Sequence, residues 1–207
     1  MNRQIPAFIH SLFPGITWRI PGPGKKIYLT FDDGPTPGIT EEVLSLLEEF
    51  NASATFFCTG KQVQKHPDLF LKIREKGHAV GNHSFSHPDG FRSSPKKYVA
   101  DVLKAAELIQ SSFFRPPFGR MKPGQFKMLR REFSVIMWSV MAYDFNPENT
   151  PEDCFRLVRQ NCKPGSIIVF HDTKQASGNL FDTLRLTLAH FTARGYAFPA
   201  LLPGLVS

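Results

Sequence analysis

The stretch "YLTFDDGP", residues 28–35, sets two carboxylates side by side where an apolar run stops at Gly34-Pro35. Like charges on neighbouring side chains repel, and a strand turns successive side chains to opposite faces. Asp32 and Asp33 can therefore reach one site together only if the strand ends there, and Gly-Pro supplies that ending. One carboxylate can then bind a cation while its neighbour stays off it as a proton acceptor. The cation would offset their repulsion and hold the free carboxylate's pKa down. Taken alone, the doublet also reads as a helix cap or a turn, because Asp-Gly is a common turn signal.

Working outward, the pattern alternates. Residues 25–31 form a β-rich apolar run, and residues 39–50 carry Val43, Leu44, Leu47 and Phe50 at helical spacing behind Thr40 and two glutamates. Residues 52–60 read as a strand closed by Gly60, 66–77 as a helix opened by Pro67 and Asp68, and 78–83 as a short strand. The longest helix is predicted over 94–112 with Ser94 as its cap. A short strand near Phe113, a helix over 125–131, a strand over 133–140, a helix over 151–162, a strand over 165–172 and a helix over 181–195 complete the chain. Strands alternating with helices predict parallel βαβ units. Several of these segments end in residues able to do chemistry: Asp32 and Asp33, His83, Arg115, Asp144 and His171. In parallel α/β proteins the ligand site gathers at the carboxyl ends of the strands.

The totals fit one domain. An apolar share of 42% of 207 residues supports a proper core. Residues 25–207 read as that domain, and residues 1–24 as a segment packed on it through Phe8, Ile9, Leu12, Phe13 and Trp18. Lys and Arg exceed Asp and Glu by 25 to 18, a net +7 that favours anionic partners. The basic residues are scattered, however, which describes a solvated surface and gives no ground for nucleic-acid binding. Three cysteines, Cys58, Cys154 and Cys162, argue against a disulfide framework. The longest apolar stretch near the start, "IPAFI", is far short of a signal peptide's core or a membrane span. The expectation is a cytoplasmic protein by default, with envelope association as the alternative. Membrane contact through the aromatic, basic N-terminal segment is the weaker reading. The sequence does not speak to oligomeric state.

"HSFSH", His83 to His87, spaces two imidazoles so that they share a face in either a helix or a strand. A lone His-x-x-x-His is weak evidence. With a carboxylate from another strand end it becomes a His2Asp metal set, and three protein ligands leave a position open for water, the pattern of catalytic zinc.

The stretches "TFDDGP", "HSFSH", "RPPFG", "WSVMAYDF" and "VFHD", spread over residues 30–172, stand in the order of five motifs, and the chain resembles the polysaccharide deacetylases of carbohydrate esterase family 4, the NodB-like domain. The resemblance implies an α/β fold, an irregular (β/α) barrel of the NodB type. It implies one divalent metal ion, zinc first with cobalt, nickel or manganese as alternatives, held by Asp33, His83 and His87. It makes Asp32 the catalytic base, oriented by Arg115, and His171 the general acid, oriented by Asp144. Pro117, Phe118, Phe145 and Phe170 are expected to contact the substrate, an acetylated amino-sugar polymer or oligomer. Three positions depart from the family pattern: Met141 stands where an aspartate is usual, Phe118 replaces a tyrosine and Phe145 a tryptophan. The backbone N–H of the third-motif aromatic serves the oxyanion site in this family, so Phe118 can fill that role.

The chemistry that follows is amide hydrolysis. A cation lowers the pKa of a bound water to about 7, Asp32 takes its proton as it attacks the acetyl carbonyl, and His171 protonates the departing amine. Rival readings differ in class. Two histidines and one carboxylate also form the iron(II) facial triad of non-haem oxygenases, but that leaves Asp32, "RPPFG" and His171 without work. A binding module on a silent scaffold would be favoured by a missing catalytic residue. An O-acetyl esterase or a hydrolase of small non-sugar amides would keep the fold and change the bond.

Overall fold

A computed structural model describes residues 14–205. Among these residues are eight strands, with a helix between most successive pairs: β1 Ile16–Thr17, β2 Tyr28–Asp32, β3 Ala54–Cys58, β4 Ala79–Asn82, β5 Phe113–Phe114, β6 Ser134–Ile136, β7 Val140–Met141 and β8 Ile167–His171. The helices are α1 Ile39–Glu49, α2 Gly60–Lys65, α3 Pro67–Glu75, α4 Pro95–Ile109, α5 Pro123–Leu129, α6 Pro151–Asn161 and α7 Ser177–Thr192. Every strand pair is parallel, in the order β1-β6-β5-β4-β3-β2-β8-β7. Beyond β1 the chain meets the start of β8, where Arg19 bridges Ser166 and Ile20 N–H donates to Gly165 O at 2.9 Å. The sheet therefore curls toward closure, and the fold is the irregular (β/α) barrel expected. No helix among the described residues is long and apolar enough to cross a membrane.

Strand alternation separates two of the core's three buried clusters, the third being Tyr98, Val102, Phe114, Leu129 and Val135 between the sheet and α4 and α5. Leu29, Phe31, Phe56, Ile168 and Phe170 point outward under α1 and α7, in one buried cluster with Leu44, Leu47, Leu184 and Leu188. Tyr28, Phe57, Ile136, Ile167 and Val169 point the other way, in an interior cluster with Trp18 and Trp138. Thr30 and Asp32 share the face of Tyr28, so period-2 alternation alone sends the Asp32 carboxylate into the barrel. Helix α1 starts behind Gly38, whose N–H donates to the Glu41 side chain at 2.7 Å. At α6, Thr150 accepts from Asp153 N–H at 3.2 Å, a reciprocal cap that fixes where the helix begins.

Several predicted boundaries move. The strand expected over 133–140 is two, β6 and β7, because Met137 N–H turns to Thr17 O while Ser139 N–H turns to Ile167 O. The carbonyls of Ile136 and Met137 are taken by the Arg115 guanidinium, at 3.2 and 3.0 Å, instead of by a neighbouring strand. β1 and α2 were too short and too polar to carry a period. The last helix begins at Ser177, ahead of the predicted 181, because Gly178 in its first turn hides the pattern. Of the residues expected to pack the N-terminal segment, Phe8, Ile9, Leu12 and Phe13 lie outside the described residues, and Trp18 is buried.

Candidate active site

The site is built at the carboxyl ends of the strands, starting from Asp32. Its Oδ1 accepts from Arg115 Nη1 at 2.7 Å, and both side chains are buried. Arg115 follows β5 and spends its other donors inside the protein: Nη1 also reaches Thr30 Oγ1 at 2.8 Å, while Nε and Nη2 hold Ile136 O and Met137 O. Its guanidinium carbon lies 4.1 Å from the centroid of the Phe57 ring. A buried charge is tolerated when it is paired and its donors are satisfied, and Arg115 meets both conditions.

Asp33 leaves the strand. Its φ of 80° turns the carboxylate out of the interior, and its Oδ1 stands 3.4 Å from His83 Nε2 and 3.0 Å from His87 Nε2. The two histidines do not share a helix or a strand. His83 comes directly after β4, and left-handed turns at Ser84 and His87 (φ 65° and 60°) bring the second imidazole back beside the first. His83 Nδ1 lies 2.8 Å from Arg115 O, so that nitrogen carries the proton and Nε2 offers a lone pair. Burial holds His83 below the usual histidine pKa, against the pull of Asp32 and Asp33. Burial alone would raise the Asp33 carboxyl, but the closeness of His87 and the charges of His83 and His171 outweigh it and hold it low.

One ligand atom from each of Asp33, His83 and His87 lies within 4.8 Å of the others. Asp33 Oδ1 is buried yet has no hydrogen-bond partner, although two ring nitrogens stand close to it. An orphaned carboxylate oxygen facing two imidazole nitrogens is a donor set that fits a divalent cation.

Across the site, β2 and β8 pair Asp32 with His171. His171 Nδ1 lies 2.9 Å from Asp144 Oδ1, and His171 N–H donates to Asp144 Oδ2 at 2.7 Å. Both Asp144 oxygens are thus committed to one histidine, which leaves Nε2 for the cleft. Burial would lower the His171 pKa, but the charge and hydrogen bond of fully buried Asp144 outweigh it and carry it up to about 9.

Asp32, Asp33, His83, His87 and His171 line a cleft of about 430 Å³, with Arg115 and Asp144 buried behind them. Phe118 stands at its rim, held at φ 58° with its ring edge-on to His87 at 4.5 Å. Phe145 sits edge-on to His171 at 4.9 Å. Met141 also lines the cleft. The expectation for Phe170 is corrected: one residue before His171, it faces the helix side, fully buried and stacked on Phe31 at 5.7 Å. Pro117 is buried in the turn ahead of Phe118 and does not line the cleft.

Sequence reasoning missed Thr30, which shares Arg115 with Asp32 and whose polar side chain two residues before Asp32 was the available signal. Trp138, which reads from the sequence as core, is buried in the interior cluster and also walls the cleft; Gln175 in the cleft wall and Asp172 were missed. That carboxylate is fully buried and accepts from Gly34 N–H at 3.2 Å and from the Thr40 hydroxyl. A Cβ on Gly34 would come within 2.0 Å of Asp172 Oδ2. Asp172 and Gly34 together seat the turn that carries Asp33, and burial pushes the Asp172 carboxyl up to about 7.

Known proteins resemble the chain in sequence and in fold. The polysaccharide deacetylase family matches residues 19–130. A peptidoglycan-N-acetylglucosamine deacetylase of Bacillus cereus is 32% identical over 190 residues, covering 88% of this chain and 89% of that protein. The crystal structure of the Bc1960 peptidoglycan N-acetylglucosamine deacetylase superposes with a TM-score of 0.87 at 28% identity, over 97% of this chain and 96% of that one. A family 4 acetyl xylan esterase from Clostridium thermocellum, solved with a cobalt ion, gives a TM-score of 0.78 at 28% identity over 85% and 88% of the two chains. The chain belongs to the polysaccharide deacetylase family.

Proposed function

We propose that this protein removes acetyl groups from N-acetylglucosamine units of a glycan, with peptidoglycan, the polymer named for its Bacillus cereus relative, as the substrate class. The observation that carries the reading is the position of Asp32. It is a buried carboxylate fixed by Arg115 beside a two-histidine, one-carboxylate cluster, with a histidine bound to buried Asp144 on the adjoining strand. Asp33, His83 and His87 would hold one divalent ion, zinc in our reading, and it would supply Lewis acidity that lowers the pKa of a water to about 7.

The chain's own residues do the proton work. Asp32, kept from swinging by Arg115, accepts the proton of the attacking water at its remaining oxygen. His171, held protonated by Asp144, delivers a proton to the amide nitrogen as the C–N bond breaks. An amine is a poor leaving group without that proton, whereas an alkoxide needs it less. His171, paired with Asp144, is placed to supply that proton, which suits N-deacetylation; ester cleavage, the reaction named for the acetyl xylan esterase neighbour, is the second reading. Phe118 and Phe145 form apolar walls on which sugar faces and the acetyl methyl can rest.

The test is acetate release from N-acetylglucosamine oligomers and from peptidoglycan by metal-stripped protein, with zinc, cobalt or nothing restored. Release that returns with metal supports the reading. Metal binding at one equivalent with no acetate from either polymer overturns it.

A further inference from the structure

The cleft that holds the catalytic residues has two unlike flanks. On one side, meeting it at Gly119, lies an apolar recess of about 430 Å³ walled by Trp18, Phe91, Met121 and Phe126. On the other, sharing Asp33, His87, Thr173 and Gln175 with it, lies an open cleft of about 490 Å³ bordered by Lys61 and Lys174. Lys61 belongs to α2 and Lys174 to the connection from β8 to α7, so unrelated parts of the chain deliver the two ammonium groups to one groove. Both side chains are exposed, and among the described residues neither is paired with a carboxylate. Asp33 is the only acidic residue in the lining, and it is committed to the histidine cluster.

Two unpaired ammonium groups bordering one cleft raise the local positive potential and concentrate anions there. A linear glycan whose reacting unit lies over Asp32 and His171 must run its next residue into one of the two flanks. A neutral neighbour would draw nothing from the lysine side that hydroxyls and amides could not supply. A carboxylate would find ammonium groups bordering the cleft, with the Gln62 amide in the same lining and the Gln175 amide held by Phe145 O at 3.1 Å.

We infer that the cleft between Lys61 and Lys174 is an anion subsite that reads a carboxylate on the sugar residue adjoining the one deacetylated. This rests on the deacetylase reading and narrows it from amino-sugar polymers in general to acidic ones. The carboxylate can belong to an O-lactyl group that carries no peptide or to a uronic acid; both offer the same charged group within one residue of the scissile amide.

The experiment compares four oligomers of equal length: N-acetylglucosamine alone, N-acetylglucosamine alternating with an O-lactyl amino sugar, that oligomer with its lactyl carboxylate converted to the primary amide, and N-acetylglucosamine alternating with a uronic acid. Acetate release is measured for the wild type, Lys61→Gln, Lys174→Gln and the double variant. The wild type is expected to show a lower KM for acid than for amide. The double variant should shrink that acid-to-amide KM ratio by about tenfold, the size of two exposed ion pairs, and raised salt should shrink it in the wild type alone. Preference for the lactyl acid over the uronic acid identifies the first source, and the reverse the second. Equal KM for acid and amide in the wild type, or a ratio unmoved in the double variant, overturns the subsite. Calorimetric binding of the same oligomers separates the two claims. If no oligomer is deacetylated yet acid binds more tightly than amide through the lysines, the deacetylase reading fails and the subsite stands; if binding does not discriminate, the subsite falls.

Discussion

Arg115 touches both halves of the site: its carbonyl oxygen lies 2.8 Å from His83 Nδ1, and its Nη1 lies 2.7 Å from Asp32 Oδ1. One residue at the end of β5 thus fixes the tautomer of a histidine in the ligand cluster and the position of the neighbouring carboxylate. The backbone contact survives any substitution; the guanidinium contact does not. Arg115→Ala should leave Asp32 a buried, uncompensated charge and cost about 3–5 kcal/mol in stability. Urea unfolding measures this. Arg115→Lys keeps a charge beside Asp32 but gives up the fork that also holds Ile136 O and Met137 O, so it should fold better than the alanine variant while remaining impaired in acetate release.

The pairing of His171 with Asp144 predicts a pH dependence. A group that acts as an acid must be protonated, so activity should fall as pH rises through the His171 pKa of about 9. Asp144→Asn removes the charge and hydrogen bond that do most to raise it, leaving burial opposed only by the charges of Asp32 and Asp33. The alkaline limb of the rate profile should move to lower pH, and kcat should drop by about a hundredfold or more. An unmoved limb would mean that another group sets it.

Asp172 predicts a second dependence, on stability. Its carboxyl titrates at about 7 in the fold against about 3.9 in an unfolded chain. The folded state therefore keeps a proton that the unfolded state has already released. This contribution is complete below the unfolded pKa and is lost as pH rises through about 7. Asp172→Asn keeps an acceptor for Gly34 N–H but cannot ionise. Denaturant melts from pH 4 to 8 should show the variant gaining on the wild type as pH rises. A constant difference across that range would remove burial of Asp172 as the cause.

Much of this was legible in the sequence because it depends on periodicity and order. The alternation of apolar runs with helical spacing is enough to place Asp32, His83 and His171 at strand ends, and the family resemblance adds Asp33 and His87 in the same cleft and Arg115 and Asp144 behind it. Where the reading failed, the deciding contacts were made between segments distant in the chain. Phe170 sits next to His171 in sequence, but strand alternation sends the two to opposite faces. The break between β6 and β7 follows from a guanidinium that arrives from β5, which no local pattern records. Asp172 looked like the tail of a motif until Thr40 and Gly34 closed around it. The left-handed turns at Ser84 and His87 make the histidine pair converge without a helix, although neither residue is a glycine that would have marked the turn.

The central claim is that Asp32 is the proton acceptor beside a separate ligand cluster, and one substitution tests it most directly. Asp32→Asn keeps an oxygen for Arg115 Nη1 and leaves Asp33, His83 and His87 untouched. Zinc stoichiometry and acetate release from N-acetylglucosamine oligomers are measured on the same sample. The account predicts one bound zinc with release lowered by about 10²–10⁴-fold. Full zinc occupancy with release close to that of the wild type would contradict it.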